Sequence, residues 1–149
     1  MRAVHQGHEW LSLGKGDIVV DSAADESCWP AGQGDAFPTK PSARKMLLKT
    51  ANGGEMTHYG QKEITFNHDG NADVVGLTFQ VTDVKKPLLA VRRLVERGNK
   101  VVLSANEGES YIQHVETKTK VPVRKKGGPF VIEAHFVQKM VAMDFKGQA

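Results

Sequence analysis

The sequence predicts an all-β domain, a small closed barrel or sandwich with one short helix, and three observations carry that expectation. Val75, Leu77, Phe79 and Val81 alternate with Gly76, Thr78, Gln80 and Thr82, and Phe130, Ile132, Ala134 and Phe136 alternate with Val131, Glu133, His135 and Val137. A period of two puts successive side chains on opposite faces of a strand. Turn residues punctuate the chain at Asn52-Gly53-Gly54, at Asn67-His68-Asp69-Gly70-Asn71 and at Gly127-Gly128-Pro129. One helix stands out: Val91, Leu94 and Val95 share a helical face, so a helix is expected near residues 90–97.

The elements follow in order. In the mixed, glycine-containing stretch 1–16, Trp10, Leu11 and Leu13 suggest a short strand that leads into a clearer one, Asp17-Ile18-Val19-Val20. That strand ends in the polar run Asp21-Ser22-Ala23-Ala24-Asp25-Glu26-Ser27. Residues 28–43 hold three prolines and two glycines and read as an irregular loop. Residues 45–50 and 55–66 read as strands on either side of the Asn52-Gly53-Gly54 turn, the second interrupted at Gly60. Pro87 precedes the helical stretch and Gly98 is placed to end it. Residues 100–104 and 110–115 read as strands, and residues 118–125 and 130–137 as the arms of a last hairpin.

With 149 residues, 40% apolar and 25% charged, the chain has the size and composition of one globular domain. The organisation expected is an extension over 1–9, a domain over 10–137, and a tail or linker over 138–149. No apolar run approaches the roughly 20 residues that span a bilayer. The N-terminus, MRAVHQGHEW, has no apolar core of a secretion signal, so an intracellular location and no membrane partner are expected. The single cysteine, Cys28, allows no internal disulfide and reads as a small buried residue. A net charge of +3 is only mildly basic.

Three segments, in order, carry a family resemblance: Ile18-Val19-Val20-Asp21-Ser22-Ala23-Ala24-Asp25; the glycine-tipped Leu48-Lys49-Thr50-Ala51-Asn52-Gly53-Gly54-Glu55-Met56; and the run from Phe79 through Leu88-Leu89-Ala90-Val91 to Gly98-Asn99-Lys100-Val101-Val102-Leu103. Over roughly residues 10–137 the chain resembles the retropepsin-like aspartic protease domains of Copia-type LTR-retrotransposon polyproteins. Asp21, Ser22 and Ala24 match the family's Asp-Ser/Thr-Gly-Ala, while Ala23 stands at its glycine. Leu88, Leu89 and Ala90 occupy the place that reads apolar-apolar-Gly, again with alanine at the small position.

The resemblance implies a barrel of the retropepsin type and a homodimeric endopeptidase that processes its parent polyprotein, in the cytoplasm or within retroelement particles. Asp21 would be catalytic, one from each subunit, since a single-lobe chain holds one copy of the motif. Ser22 would hydrogen-bond across the dimer, and Asp25 would meet the substrate backbone or an arginine. Thr50, Ala51, Asn52, Gly53, Gly54 and Glu55 would form the flap over an extended peptide. The chemistry suits this: two close carboxylates share one proton, so one activates water while the other protonates the carbonyl oxygen. No metal or cofactor is expected.

Other readings stay open on the residues alone. Asp21-Ser22 also fits a turn or cap, Asn52-Gly53-Gly54 an ordinary hairpin, and Asp25-Glu26 a solvated acidic turn. With Ala23 in place of glycine, the alternative is an inactive relic or binding module with the same fold. The six histidines are scattered; His5 and His8 have helix-compatible spacing but no third ligand nearby, which speaks against a metal site. The basic run Lys118, Lys120, Arg124, Lys125 and Lys126 has no aromatic residue within it. A solvated face is therefore expected, and nucleic acid is not expected as a direct ligand.

Overall fold

The computed structural model describes residues 2–4, 10–43, 46–50, 52–68 and 73–140. Its axis is the pairing of β2 (Trp10–Asp21) with β13 (Phe130–Lys139), antiparallel from Phe130↔Val20 to Lys139↔Trp10. The sequence suggests a short lead-in before residue 17; one continuous strand forms instead. Its glycines serve the pairing. The register shifts between Phe136, opposite Gly14, and Val137, opposite Ser12. Gly14 takes φ +107 at this irregularity, a conformation that glycine adopts without penalty. At Gly16 an added Cβ would stand 2.9 Å from the Phe136 ring.

Six strands close on themselves. β13 pairs with β6 (Gly60–His68), β6 with β7 (Val74–Thr82), and β7 with β3 (Cys28–Pro30). β3 meets β8 (Leu88–Ala90), which lies parallel to β2 and completes the circuit. The result is a closed six-stranded barrel in an all-β domain with one short helix, as the alternation predicts. β1 (Arg2–Val4) adds to β7, and β12 (Arg124–Lys125) adds to β13. Two small sheets stand beside the barrel: β4 (Leu48–Lys49) with β5 (Glu55–Met56), and β9 (Asn99–Val102), β10 (Tyr111–His114) and β11 (Lys120–Pro122). The core gathers Ile18, Trp29, Ile64, Phe66, Phe79 and Ile132 from five of the barrel strands, and burying their apolar surface drives closure.

Several details differ from the sequence reading. Leu88–Ala90 is a strand, and α1 covers only Val91–Glu96. Leu94 is buried, but Val95 is exposed, so the apolar stripe is narrower than its spacing suggests. Gly98 ends the helix at φ +86, as expected. The strand expected over 45–50 shortens to Leu48–Lys49, and β13 runs to Lys139, past the expected boundary at 137. Alternation in β7 leads to polar faces, yet Gln80 and Thr82 are buried. Both find partners: Gln80 Oε1 accepts from Ser42 Oγ, and Thr82 Oγ1 donates to the Thr57 carbonyl. Lys62 is also buried, with its ammonium on the carbonyls of Gln33 (2.9 Å) and Gly34 (3.0 Å).

Gly60 is a sharp test of this packing. It sits at φ +142, and an added Cβ would lie 2.4 Å from the Lys40 carbonyl oxygen. Gly60→Ala is expected to destabilise the fold by about 1–3 kcal/mol or more. The readout is a lower urea midpoint at unchanged slope; an unaltered midpoint would contradict the placement.

Candidate functional site

The candidate site is the loop between β2 and β3. Asp21 is the last residue of β2 and stands opposite Ala90 in the parallel pairing with β8. Its side chain turns back on its own loop, where Oδ1 accepts the Ala23 N–H at 2.8 Å. Asp21 is half-buried, whereas Ser22 and Ala23 are exposed. A carboxylate held by a backbone N–H at an open strand end is oriented and still reachable.

The far end of the loop is fixed by Ser27, a residue the sequence reading left without a role. Ser27 is buried; its Oγ accepts the Ala90 N–H at 2.9 Å and its carbonyl accepts the Gln80 N–H at 2.8 Å. Ala90 is thus tied to both ends of the loop. Between those ends, α1 supplies two arginines. Arg92 Nη1 meets Asp25 Oδ1 at 3.0 Å, and Arg93 donates from Nε to the Asp25 carbonyl at 3.0 Å while pairing with Glu26. Hydrogen bonds to Glu96 and then to Glu26 push the Arg93 guanidinium further above its ordinary pKa. The Arg92–Asp25 pair is exposed on both sides, so it contributes little to stability. Asp25 thus meets an arginine of its own chain. The pairing was hidden because the partners are 67 residues apart.

The two alanines have different surroundings. Ala90 is fully buried, and its methyl is part of the packed interior. Ala23 is exposed, and among the described non-glycine residues only Lys118 takes a positive φ. Neither backbone conformation nor packing within this chain requires glycine at position 23.

The β4–β5 hairpin forms as expected. The Thr50 N–H donates to the Gly54 carbonyl at 2.7 Å, and the Gly54 N–H to Thr50 Oγ1 at 2.9 Å. Gly53 takes φ +89 at the tip, Asn52 lies in the turn and Glu55 begins β5; Ala51 lies outside the described residues. The hairpin is a separate two-stranded sheet, anchored at its foot by residues that the sequence did not single out. His58 Nδ1 accepts the Met46 N–H at 3.2 Å, so Nε2 carries the proton toward Gln80 Oε1 at 2.8 Å. Asp83 accepts the Thr57 N–H and the Tyr59 hydroxyl. That hydroxyl bond, more than partial burial, raises the Tyr59 pKa.

The remaining nucleophiles fit less well. Ser42 Oγ lies 3.1 Å from His58 Nε2, but a protonated Nε2 cannot take the serine proton. Cys28 is buried against the Glu26 carbonyl, and burial followed by the Glu26 charge pushes its thiol up to about 11. Among the described residues no group of three His, Cys, Asp or Glu is placed to hold a metal; His5 and His8 lie outside those residues. Among the described residues no helix is long and apolar enough to cross a membrane. Comparison with protein-family models, curated proteins and solved structures finds no match to this chain.

Two measurements check the site. Ser27→Ala removes the acceptor of a buried N–H and is expected to cost about 1–3 kcal/mol in chemical denaturation; no loss would detach Ser27 from the loop. The Cys28 thiol should resist thiol reagents in the folded chain at pH 8 and react on unfolding. Because the folded chain binds this proton more tightly than the ordinary thiol value of 9.0, stability should fall as pH rises from 9.0 to about 11. Rapid native labelling at pH 8 would contradict the burial.

Proposed function

We propose that this chain is the subunit of a homodimeric aspartic endopeptidase of the retropepsin type, with Asp21 from each of two chains forming the water-activating pair. The observation that carries the reading is the half-buried Asp21 carboxylate, oriented by the Ala23 N–H at the strand end that Leu88–Ala90 braces. These are the residues on which the resemblance to Copia-type proteases rests, and they come together from two separate segments. The substrate is an extended peptide, and the resemblance implies the parent polyprotein as its source.

In this mechanism the two carboxylates share one proton, and the titration belongs to the pair. Water attacks the scissile carbonyl carbon as the ionised carboxylate takes a water proton. The protonated partner donates to the carbonyl oxygen, giving a neutral tetrahedral diol. Collapse of the diol breaks the C–N bond, with a proton passing to the departing nitrogen, and the pair regains its single shared proton. The β4–β5 hairpin, with its glycine tip and riveted foot, suits a cover over the substrate backbone. The Ala23 methyl is exposed within this chain, so crowding that would favour the rival reading of an inactive relic has to come from a second chain or a substrate.

The test is the chain expressed with its native flanking polyprotein sequence. Cleavage should rise steeply with protein concentration, fall as pH rises and both carboxylates ionise, and survive chelators. Asp21→Asn should lower the rate by about 10²–10⁴-fold or more. Ala23→Gly should raise activity or dimer stability if the methyl crowds the partner loop, where overpacking costs about 1–3 kcal/mol. Cleavage that survives Asp21→Asn would overturn the proposal.

A further inference from the structure

We propose that the outer face of the β9–β10–β11 sheet binds single-stranded nucleic acid, with Lys100, Lys118 and Lys120 meeting phosphates and Tyr111 stacking on a base. The cross-strand register builds this face. Tyr111 stands opposite Val102 and Pro122, and Gln113 stands opposite Lys100 and Lys120. Ile112 and Val121 point the other way, into the core, so the Tyr111 and Gln113 rows face outward. Lys120 Nζ lies 3.9 Å from the Tyr111 ring centroid, and Lys100 Nζ lies 6.0 Å from it. Gln113 Nε2 reaches the Lys118 carbonyl at 3.3 Å, which brings the third lysine's turn to the same end of the sheet.

Clustering around an aromatic ring distinguishes this face from other unpaired lysines such as Lys85, Lys86 and Lys125, and lack of pairing distinguishes it from the arginines. Arg92 and Arg93 pair with carboxylates, Arg124 with Glu107 and Glu133, and Lys126 with Asp17 and Glu133. Lys100, Lys118 and Lys120 have no carboxylate partner among the described residues, and β9, β10 and β11 contain no Asp or Glu. Glu109 and Glu116, both exposed, flank β10 two residues from either end and are the nearest acids in sequence. The basic run read from the sequence is therefore divided. Arg124 and Lys126 are neutralised within the chain, and Lys118 and Lys120 join Lys100 around an aromatic ring.

A polyanion with flat, stackable groups matches both features. Phosphates neutralise the ammonium groups and release counterions. Base stacking accepts any sequence. An exposed cation–π contact is weaker than base stacking, so exchanging Lys120 for a base over Tyr111 is favourable. A duplex keeps its bases stacked on one another, and an acidic peptide leaves the ring unused, so single strands fit best. This inference stands apart from the proteolytic reading, and its readout does not depend on cleavage.

The experiment is fluorescence anisotropy of a labelled oligouridylate of about 12 nucleotides with the full chain, from about 50 to about 200 mM salt. Binding should weaken with salt, with a log–log slope near −2 for about three phosphate contacts. Lys100→Glu/Lys120→Glu should lower affinity at least about tenfold and flatten the slope. Tyr111→Leu should lower affinity severalfold and leave the slope unchanged. Lys85→Glu/Lys86→Glu makes the same charge change at exposed positions elsewhere and should have a much smaller effect. If the charge-reversed chain loses its β-type circular dichroism, Lys100→Ala/Lys120→Ala carries the comparison. The proposal is overturned if no binding is seen at the lowest salt, if the Lys85/Lys86 control weakens binding as much, if Tyr111→Leu binds normally, or if polyglutamate competes as well as the oligonucleotide.

Discussion

Everything at the candidate site depends on a three-residue strand. Leu88–Ala90 lies between β2 and β3, parallel to one and bridged to the other, and without it the six-stranded circuit is open. The strand is held by backbone groups: the Val19 N–H reaches the Pro87 carbonyl at 3.0 Å, and the Ala90 N–H reaches Ser27 Oγ. Leu89 and Ala90 are buried, so the insertion is also packed. Its consequence is positional. Asp21 ends β2 opposite Ala90, and the loop after Asp21 returns to the same residue through Ser27. A strand end and loop braced in this way by a buried hydrogen bond keep their place better than a loop held by surface ion pairs alone. The exposed Arg92–Asp25 pair shapes the loop; it does not carry it.

The hairpin sheet is attached on another principle. Its own sheet is two residues wide on each side and exposed at the tip, which gives it little stability alone. Its foot is tied to the C-terminal end of β7 through Gln80, Thr82 and Asp83. A firm foot and an open tip allow motion at the tip without loss of register in the barrel.

How much of this was legible in the sequence follows from range. The long barrel strands β6, β7 and β13, the hairpin with its glycine tip and the end of the helix are encoded by local period and turn chemistry, whereas the barrel strand Cys28–Pro30 lies in a stretch whose prolines and glycines read as an irregular loop. The lead-in 10–16 reads as a short separate strand because Gly14 and Gly16 break the pattern; both are answered by Phe136, more than a hundred residues away. Leu88–Ala90 is too short to show a period, and the adjoining helical spacing absorbs it. Gln80 and Thr82 look solvent-facing by alternation, yet residues from the hairpin foot and from the 38–43 loop cover them. In the site itself, Asp21 and its following residues were legible as a motif, whereas Ser27, Arg92 and Arg93 acquire meaning only from contacts across 63 to 68 residues. The Lys100–Tyr111–Lys120 face depends instead on the cross-strand register of a small sheet, which local pattern does not fix.

The central claim is that one chain holds half of an active site. Subunit mixing tests it most directly. Unmodified chain is unfolded and refolded together with increasing proportions of the Asp21→Asn chain at fixed total concentration, and cleavage is measured. A composite site predicts activity proportional to the square of the unmodified fraction, because only dimers with two intact aspartates cleave. Activity that falls in simple proportion to that fraction would show that each chain carries a complete site, and would contradict the account.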